Sequence, residues 1–412
     1  MHSLPLRGAG CAVLLGVLVA SVPSWADAPD AEAAAPLSPD AAVAAALSVH
    51  PTVRSAEGDL LLAQGLRSQA ALLLHNPSLS GGVSFDGERA NLGLSQLLSL
   101  SGEGWYARSA SGARVDAAER SLSRAKLAAA AEVRLAYVEA VVAGGRVRVA
   151  LEGVELAASL RHAVTRQSEE GEASTLDLRL ARLAEVQSAS ALLTAREAEA
   201  EALRDLAALV ARPVLAHALS ADPLAAAPEP TRSEPSQRSD VMAAQAALRA
   251  AELELSRQRA ASVPPVGVGV FVSVEGGQTF VGPTIGVQVP LFDRNQAGRA
   301  DARGDVLVAD AGLASVKARA DTEIATAEAR VAEARELTAA LVTDPVAEAR
   351  EALRSIEAGY LAGEIDLPTT VLLQGEVLDG EAAALVLLGQ VADARLDLML
   401  ATEDPQLLGG AR

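Results

Sequence analysis

The sequence predicts a mostly helical chain that also carries four long, two-faced β-strands and is written as two repeats. Three observations point there. Two segments, 77–100 and 266–292, alternate with period two. Each is followed by a very long stretch of helical composition with one glycine-marked break. The same order of elements occurs in both halves at a nearly constant offset.

The second alternating segment is the clearer one. Val266, Val268, Val270, Val272 and Val274 take every second position, and after Glu275-Gly276-Gly277 the pattern resumes with Val281, Pro283, Ile285, Val287, Val289 and Leu291. The facing set is Gly267, Gly269, Phe271, Ser273, Gly282, Thr284, Gly286 and Gln288. A period of two is the period of a strand. The earlier hairpin sets Leu79, Gly81, Val83 and Phe85 against Ser80, Gly82 and Ser84, turns at Gly87-Glu88-Arg89, and returns with Leu92, Leu94, Gln96, Leu98 and Leu100 on one side.

The helical stretches are set by alanine and by the absence of proline. Gly102 to Arg212 holds no proline and is interrupted only by RQSEEGEASTLD, 166–177. Ala297 to Asp344 is also free of proline; Pro345 follows, then a break at AGYLAGEIDLP, 358–368, and a last run to about Ala401. A helix over 103–166 would be roughly 95 Å long, too long for a compact domain. Leu176, Leu180, Leu183 and Val186, continued by Leu203, Leu206 and Val210, predict a narrow coiled-coil seam on the return helix. At the breaks, Ser174 with Asp177 three residues on reads as a capping box. Asp366 reads as a cap with Pro368 in the first turn, where proline is tolerated. Gly171 and Gly363 read as helix stops.

The repeat follows from register. Gly171-Glu172 matches Gly363-Glu364 at an offset of 363 − 171 = 192, and Gly112 matches Gly304 at the same offset. Gly153 falls opposite Pro345, which predicts a helix breaker at the same place in each half. Upstream, LRSQA at Leu66 resembles LSRQR at Leu255. A fixed order of elements at a fixed offset is the mark of an internal duplication. The expected organisation is a signal peptide over 1–26, a first repeat over 27–212, a Pro/Ser/Ala-rich linker over 213–237, a second repeat over 238–401 and a tail over 402–412.

Composition limits what such a chain can do. Half of its residues are hydrophobic but only 2% are aromatic, which suits alanine-rich helices packed closely on one another. Arg7, the apolar run Cys11 to Val22 and the small residues around Ala26 read as an export signal. Cys11 is the single cysteine, so disulfide and thiol chemistry are not expected of a processed chain. A net charge of −18 argues against nucleic acid as a partner. His2, His50, His75, His162 and His217 are scattered; no metal-ligand spacing, phosphate loop or nucleophile motif appears. No catalytic, cofactor or metal site is expected.

The strands read as membrane strands. Each is about ten residues, the length a tilted membrane strand needs. Six of the eight aromatics beyond residue 26 lie in or beside the hairpins: Phe85, Trp105, Tyr106, Phe271, Phe280 and Phe292. Four strands are too few to close a barrel, so closure would need several chains. Two copies would supply eight strands, nearly filled by side chains, and three would supply twelve with room for a pore. The uniformly apolar set, Val266, Val268, Val270, Val272, Val281, Ile285 and Val287, is expected to face lipid.

With these elements placed, VPLFDRNQAGRADA, Val289 to Ala302, together with the two-repeat layout, resembles the TolC-type outer membrane factors of tripartite efflux systems. The motif is similar to that of the CzcC-like subgroup serving heavy-metal cation pumps. Arg166, Gly171, Ser174 and Asp177 resemble the family's inter-helix turn. The resemblance implies a homotrimer with a twelve-stranded barrel in outer membrane lipid and an α-helical tunnel across the periplasm. It implies a periplasmic adaptor and an inner-membrane pump of the resistance-nodulation-division class as partners, the pump supplying the energy. It places adaptor docking at the turns of Gly171, Glu172, Ser174, Gly363, Glu364 and Asp366. Some members carry acids in the first turns of the last helix; here those positions read Leu367, Pro368, Thr369, Thr370, Val371 and Leu372, and the acids come earlier, at Glu364 and Asp366. A duct for drugs or for secreted protein, or a soluble periplasmic coiled-coil adaptor, is the competing expectation. An adaptor should show one helical hairpin, whereas two are legible here.

Overall fold

A computed structural model describes residues 37–71, 76–84, 89–220, 222–230, 238–287, 289–339 and 345–409. The expected signal peptide, Phe85, the turn at Gly87-Glu88 and Gln288 lie outside the described residues. The elements run α1 (Pro39–Leu47), α2 (Pro51–Ala71), β1 (Ser78–Val83), β2 (Arg89–Leu98), α3 (Glu103–Glu169), α4 (Thr175–Val210), α5 (Ser239–Ala260), β3 (Val266–Glu275), β4 (Gln278–Val287), α6 (Gln296–Ala339), α7 (Pro345–Leu361) and α8 (Leu367–Ala401). Short 3-10 turns lie at Ala216–Ala218, Pro223–Ala226 and Pro405–Leu408.

The length of α3 is the dominant fact. Its 67 residues span about 100 Å at ~1.5 Å per residue. The helix runs without interruption through Gly153, so the expected breaker there is not one. The opposite position, Pro345, does begin a new helix, α7. The two residues differ in chemistry. Glycine inside a helix costs about 1 kcal/mol, whereas proline removes a donor and clashes with the preceding turn at about 3 kcal/mol. Gly153 has a packing role instead. A Cβ there would lie 3.1 Å from Leu378 Cδ1, and one at Gly145 would lie 2.9 Å from Leu385 Cδ1, so these glycines let α3 and α8 approach closely.

The principal core lies midway along α3. Val133, Tyr137, Val138 and Val141 pack with Val43 of α1, Leu206 and Val210 of α4, and Leu396 and Met399 of α8. The Tyr137 hydroxyl donates to the Leu37 carbonyl and accepts from the Ser220 amide, both at 2.8 Å. Burial pushes the Tyr137 phenol above its ordinary pKa, a shift the Ser220 amide partly opposes. Part of the segment read as a linker is built into this core, since Ala226 and Ala227 are fully buried. So is part of the tail, through Leu407. Arg134 ties these pieces together from a position only 2% exposed. Its Nε donates to the Leu407 carbonyl (2.8 Å), Nη1 to Ala226 (2.9 Å) and Nη2 to Gln406 (3.1 Å). Nη2 also pairs with the Asp40 carboxylate.

The expected seam on α4 holds at one end only. Leu206 and Val210 are buried, but Leu176, Leu183 and Val186 are exposed, and the buried positions near them are Ala181, Ala184 and Ala195. α3 and α4 close on alanine, which brings their backbones together and turns the leucines away. Among the described residues no helix is long and apolar enough to cross a membrane.

The two hairpins form one antiparallel sheet in the order β1-β2-β3-β4. Gly276 and Gly277, at φ 56° and 81°, turn β3 into β4; two consecutive positive φ values are what a two-residue type I′ hairpin requires.

Candidate functional site

Register decides which strand residues share a face. Val268 pairs with Gln96 on one side and Ile285 on the other; Val270 pairs with Leu94 and Pro283; Val272 pairs with Leu92 and Val281; Val266 pairs with Leu98 and Val287. Leu79 and Leu94 pair in turn, as do Gly81 and Leu92. Directly paired residues project to the same side of a sheet, so one apolar face runs across all four strands, interrupted by Gln96 and, beside the β3–β4 turn, by Thr279. It holds all seven positions expected to face lipid. None is covered by the chain itself: Val281 is 67% and Ile285 76% exposed.

The other face carries Ser78, Ser80, Asn91, Gly93, Ser95, Gly267, Gly269, Ser273, Gly282, Thr284 and Gly286 by the same register. Its residues are small because the strands crowd there. A Cβ on Gly269 would fall 2.5 Å from the Leu94 carbonyl oxygen, and one on Gly282 would fall 2.8 Å from the Phe271 ring. Ser78 and Ser95 share a 2.7 Å hydroxyl hydrogen bond. Phe271, central in β3, lies on the face of Gly267, Gly269 and Ser273 as the alternation predicts, and Phe280 shares that face. Trp105 and Phe292 fit the interfacial role, at 62% and 90% exposure beside the strand-to-helix junctions.

The FDRN motif builds one of those junctions. Asn295 takes a left-handed φ of 60°. Asp293 Oδ1 accepts from its amide at 2.9 Å, and Asn295 Nδ2 donates to the Gln258 carbonyl and Oε1 at 2.9 and 2.7 Å. Gln296 Oε1 accepts from the Arg294 amide at 2.8 Å. A Cβ on Gly298 would meet Asn295 Oδ1 at 2.4 Å, so only glycine fits there. Gln258 is itself bonded to Glu254, which Arg257 holds while reaching Glu103 at the start of α3. The motif therefore ties the junction between β4 and α6 to α5 and, through α5, to the start of α3.

At the far end of α3 lie the two inter-helix turns. Gly171 (φ 83°) and Gly363 (φ 75°) are left-handed, as helix stops require. The amides of Glu172 and Glu364 return to the carbonyls of Gln167 (2.8 Å) and Gly359 (2.9 Å). Ser174 and Asp177 form the reciprocal capping box, at 3.1 and 3.0 Å. Asp366 caps α8 by accepting from the Thr369 amide at 3.0 Å. The sequence could not show that the two turns meet. Leu160, Val164, Ala181 and Leu367 form a small core beneath them, and the Tyr360 hydroxyl donates to Gln167 Oε1 at 2.8 Å. Around that core Glu169, Glu170, Glu172, Glu364 and Asp366 are exposed.

The hydrogen bonds from Thr369 hold the Asp366 carboxyl below its ordinary pKa. A carboxylate with a lowered folded-state pKa contributes stability that is complete above its unfolded pKa and is lost as pH falls through the folded value. The first turn of α8 should therefore fray on acidification. Exchange of the Thr369 amide, corrected for intrinsic rate, should rise as pH falls through that lowered value and stay flat above the usual carboxylate range.

Residues 233–402 match the model of the family described as outer membrane efflux protein. The match spans the second of the two expected repeats, and that part of the chain is similar to the family. No curated protein matches the sequence. Its fold is shared by solved structures at low identity. A membrane protein from Pseudomonas aeruginosa superposes with a TM-score of 0.74 at 21% identity, covering 88% of this chain and 91% of that one. CusC gives 0.70 at 18%, covering 88% and 91%. VceC from Vibrio cholerae gives 0.68 at 18%, covering 91% and 97%.

Proposed function

We propose that three copies of this chain close a twelve-stranded barrel, β4 of each beside β1 of the next. The barrel would be the passive outer membrane exit of a tripartite efflux system. The observation that carries this is the sheet: one continuous apolar face, one small and polar face, and two open edges in a chain with only four described strands. Open edges are an aggregation hazard that closure removes, and twelve strands leave an aqueous lumen where eight do not. Leu176, Leu183, Val186 and Leu193 on α4, exposed in the single chain, would be covered between copies. Mass measurement after mild-detergent extraction is the test: a trimer is expected, and a monomer overturns the proposal.

The feeding partners in this proposal are a periplasmic adaptor and an inner-membrane pump of the resistance-nodulation-division class. The joined, acidic tip formed by the turns of Gly171, Glu172, Ser174, Gly363, Glu364 and Asp366 supports adaptor docking there, since it lies about 100 Å of helix away from the sheet. Valine at Gly171 and Gly363 would have to adopt a positive φ, at about 1–3 kcal/mol per site. The double variant should insert as a normal trimer yet lose efflux and adaptor cross-linking. Full efflux at unchanged trimer levels would make the turns structural only.

Heavy-metal cations are the proposed cargo, on the strength of the CzcC-like motif at 289–302. A strain lacking the protein should become sensitive to divalent transition metals. Sensitivity to organic drugs alone would favour a drug duct instead.

A further inference from the structure

The strands carry almost no charge. Among their described residues Arg89, which opens β2, and Glu275, which closes β3, are the only ionisable side chains. They pair directly in the β2–β3 register, and Arg89 Nε lies 2.8 Å from Glu275 Oε1. Alternation puts both on the face of Asn91, Ser273 and Gly269, so neither points to the apolar side. Their level in the sheet is fixed from both strands. Glu275 immediately precedes the Gly276-Gly277 turn and pairs with Gln278 across it. The Arg89 amide donates to Ser84 Oγ at 3.1 Å, and its carbonyl accepts from the Ser84 amide at 2.9 Å. α5 and α6 join β3 and β4 at the opposite end, so the pair marks the end of the sheet farthest from the helices. One rung closer to the helices the same face carries Asn91, Ser273 and Phe280.

The pair does little for the fold. Its side chains are 70% and 56% exposed, and an exposed ion pair adds little to stability because water and salt screen it. What it does control is the local field. Charge on a water-filled passage with low-dielectric walls attracts ions of one sign and excludes those of the other. We infer that Arg89 and Glu275 form the charge-selectivity rung of the exit, three pairs around its outer mouth, balanced so that the barrel passes ions of either sign. The inference rests on the closed-barrel reading above.

Three-fold repetition of the sheet brings three arginines and three glutamates to one level of the lumen. With both present, the net charge of that rung is zero. With Glu275 neutralised, three positive charges stand at the mouth. A cationic cargo would meet them last, and no other acid on the described strands offsets them. With Arg89 neutralised, three carboxylates stand there and favour cations. Glu275 is thus the residue that keeps the exit usable by cations, and Arg89 the residue that keeps it usable by anions. The effect belongs to the barrel alone, because the acids at the inter-helix turns and along the helices are the same in every such variant.

The test uses the full chain, purified in mild detergent and placed in planar lipid bilayers under a KCl gradient at low ionic strength. The reversal potential gives the ratio of cation to anion permeability. Arg89→Gln should raise that ratio about threefold and Glu275→Gln should lower it about threefold, three charges acting across roughly 10 Å of screened water. The double variant should return to the unsubstituted ratio, and so should the exchange of Arg89→Glu with Glu275→Arg. At high salt, where the charges are screened, all variants should conduct alike. A tie that merely holds β2 to β3 would act the other way: the single variants would lose trimer and the ratio would stay put. An unchanged ratio in trimers of both single variants overturns the inference and leaves the barrel standing. Loss of the trimer in both also overturns it, since the pair would then serve assembly. Native mass separates the two levels, because a monomer from the unsubstituted chain overturns the barrel reading and the inference with it.

Discussion

Val268→Lys should abolish assembly of the proposed outer membrane trimer. Val268 lies on the apolar face, flanked by Gln96 and Ile285. A lysine on the lipid side of a barrel costs about 2–4 kcal/mol near mid-membrane, falling toward the interfaces, and a trimer bears that cost three times. Ile285→Lys, on the neighbouring strand of the same face, should behave likewise. The control must sit on the other face and must not introduce a clash. Gly269→Lys fails the second condition, because even a Cβ there would fall 2.5 Å from the Leu94 carbonyl oxygen. Thr284, which pairs with Gly269, already carries a branched side chain on the small face, so Thr284→Lys should leave assembly intact. Outer membrane fractionation with non-denaturing electrophoresis reads the result. Assembly of Val268→Lys together with loss of Thr284→Lys would mean that the faces are reversed.

Arg134→Leu should destabilise the middle of the molecule by about 2–4 kcal/mol, through lost hydrogen bonds to buried carbonyls; the Asp40 carboxylate, 60% exposed, is left solvated. The guanidinium serves three carbonyls and the Asp40 carboxylate, drawn from three separate parts of the chain: α1, Ala226 and the Gln406-Leu407 tail. Removing it strands the carbonyl oxygens of Ala226 and Leu407, each unsatisfied buried acceptor costing about 1–3 kcal/mol, while the Gln406 carbonyl keeps the Gly409 amide. Arg134→Lys should recover only part of the loss, because an ammonium cannot span a planar, forked set of acceptors. Thermal unfolding of the detergent-solubilised protein, followed by circular dichroism, measures both. A melting temperature unchanged in Arg134→Leu would show that the network adds nothing to the core.

Local pattern was legible wherever it is set by nearest neighbours in the chain. Alternation placed β3 and β4 to within a few residues, since a period of two has no helical equivalent. The absence of proline gave the length of α3. The caps at Ser174 and Asp366 and the stops at Gly171 and Gly363 were readable because each is satisfied within four residues. The misread positions share a cause. Gly153 looks like a breaker until Leu378 is seen against it. Leu176, Leu183 and Val186 look like a seam until alanine is found to be what α4 buries there. In each case a residue from a distant part of the chain decided the outcome.

The sequence by itself therefore determined the two hairpins, the long helix pairs, the turns between them and the motif joining strand to helix, because these depend on backbone propensity and short-range hydrogen bonds. Only the tertiary structure decided that the hairpins merge through β2 and β3 into one sheet with a continuous apolar face. It alone decided that the two turns share one small core, and that Arg134 gathers linker, tail and α1 onto α3. Those arrangements join residues one or two hundred positions apart. Their register is fixed by packing and by the need to satisfy buried polar groups, which no local pattern records.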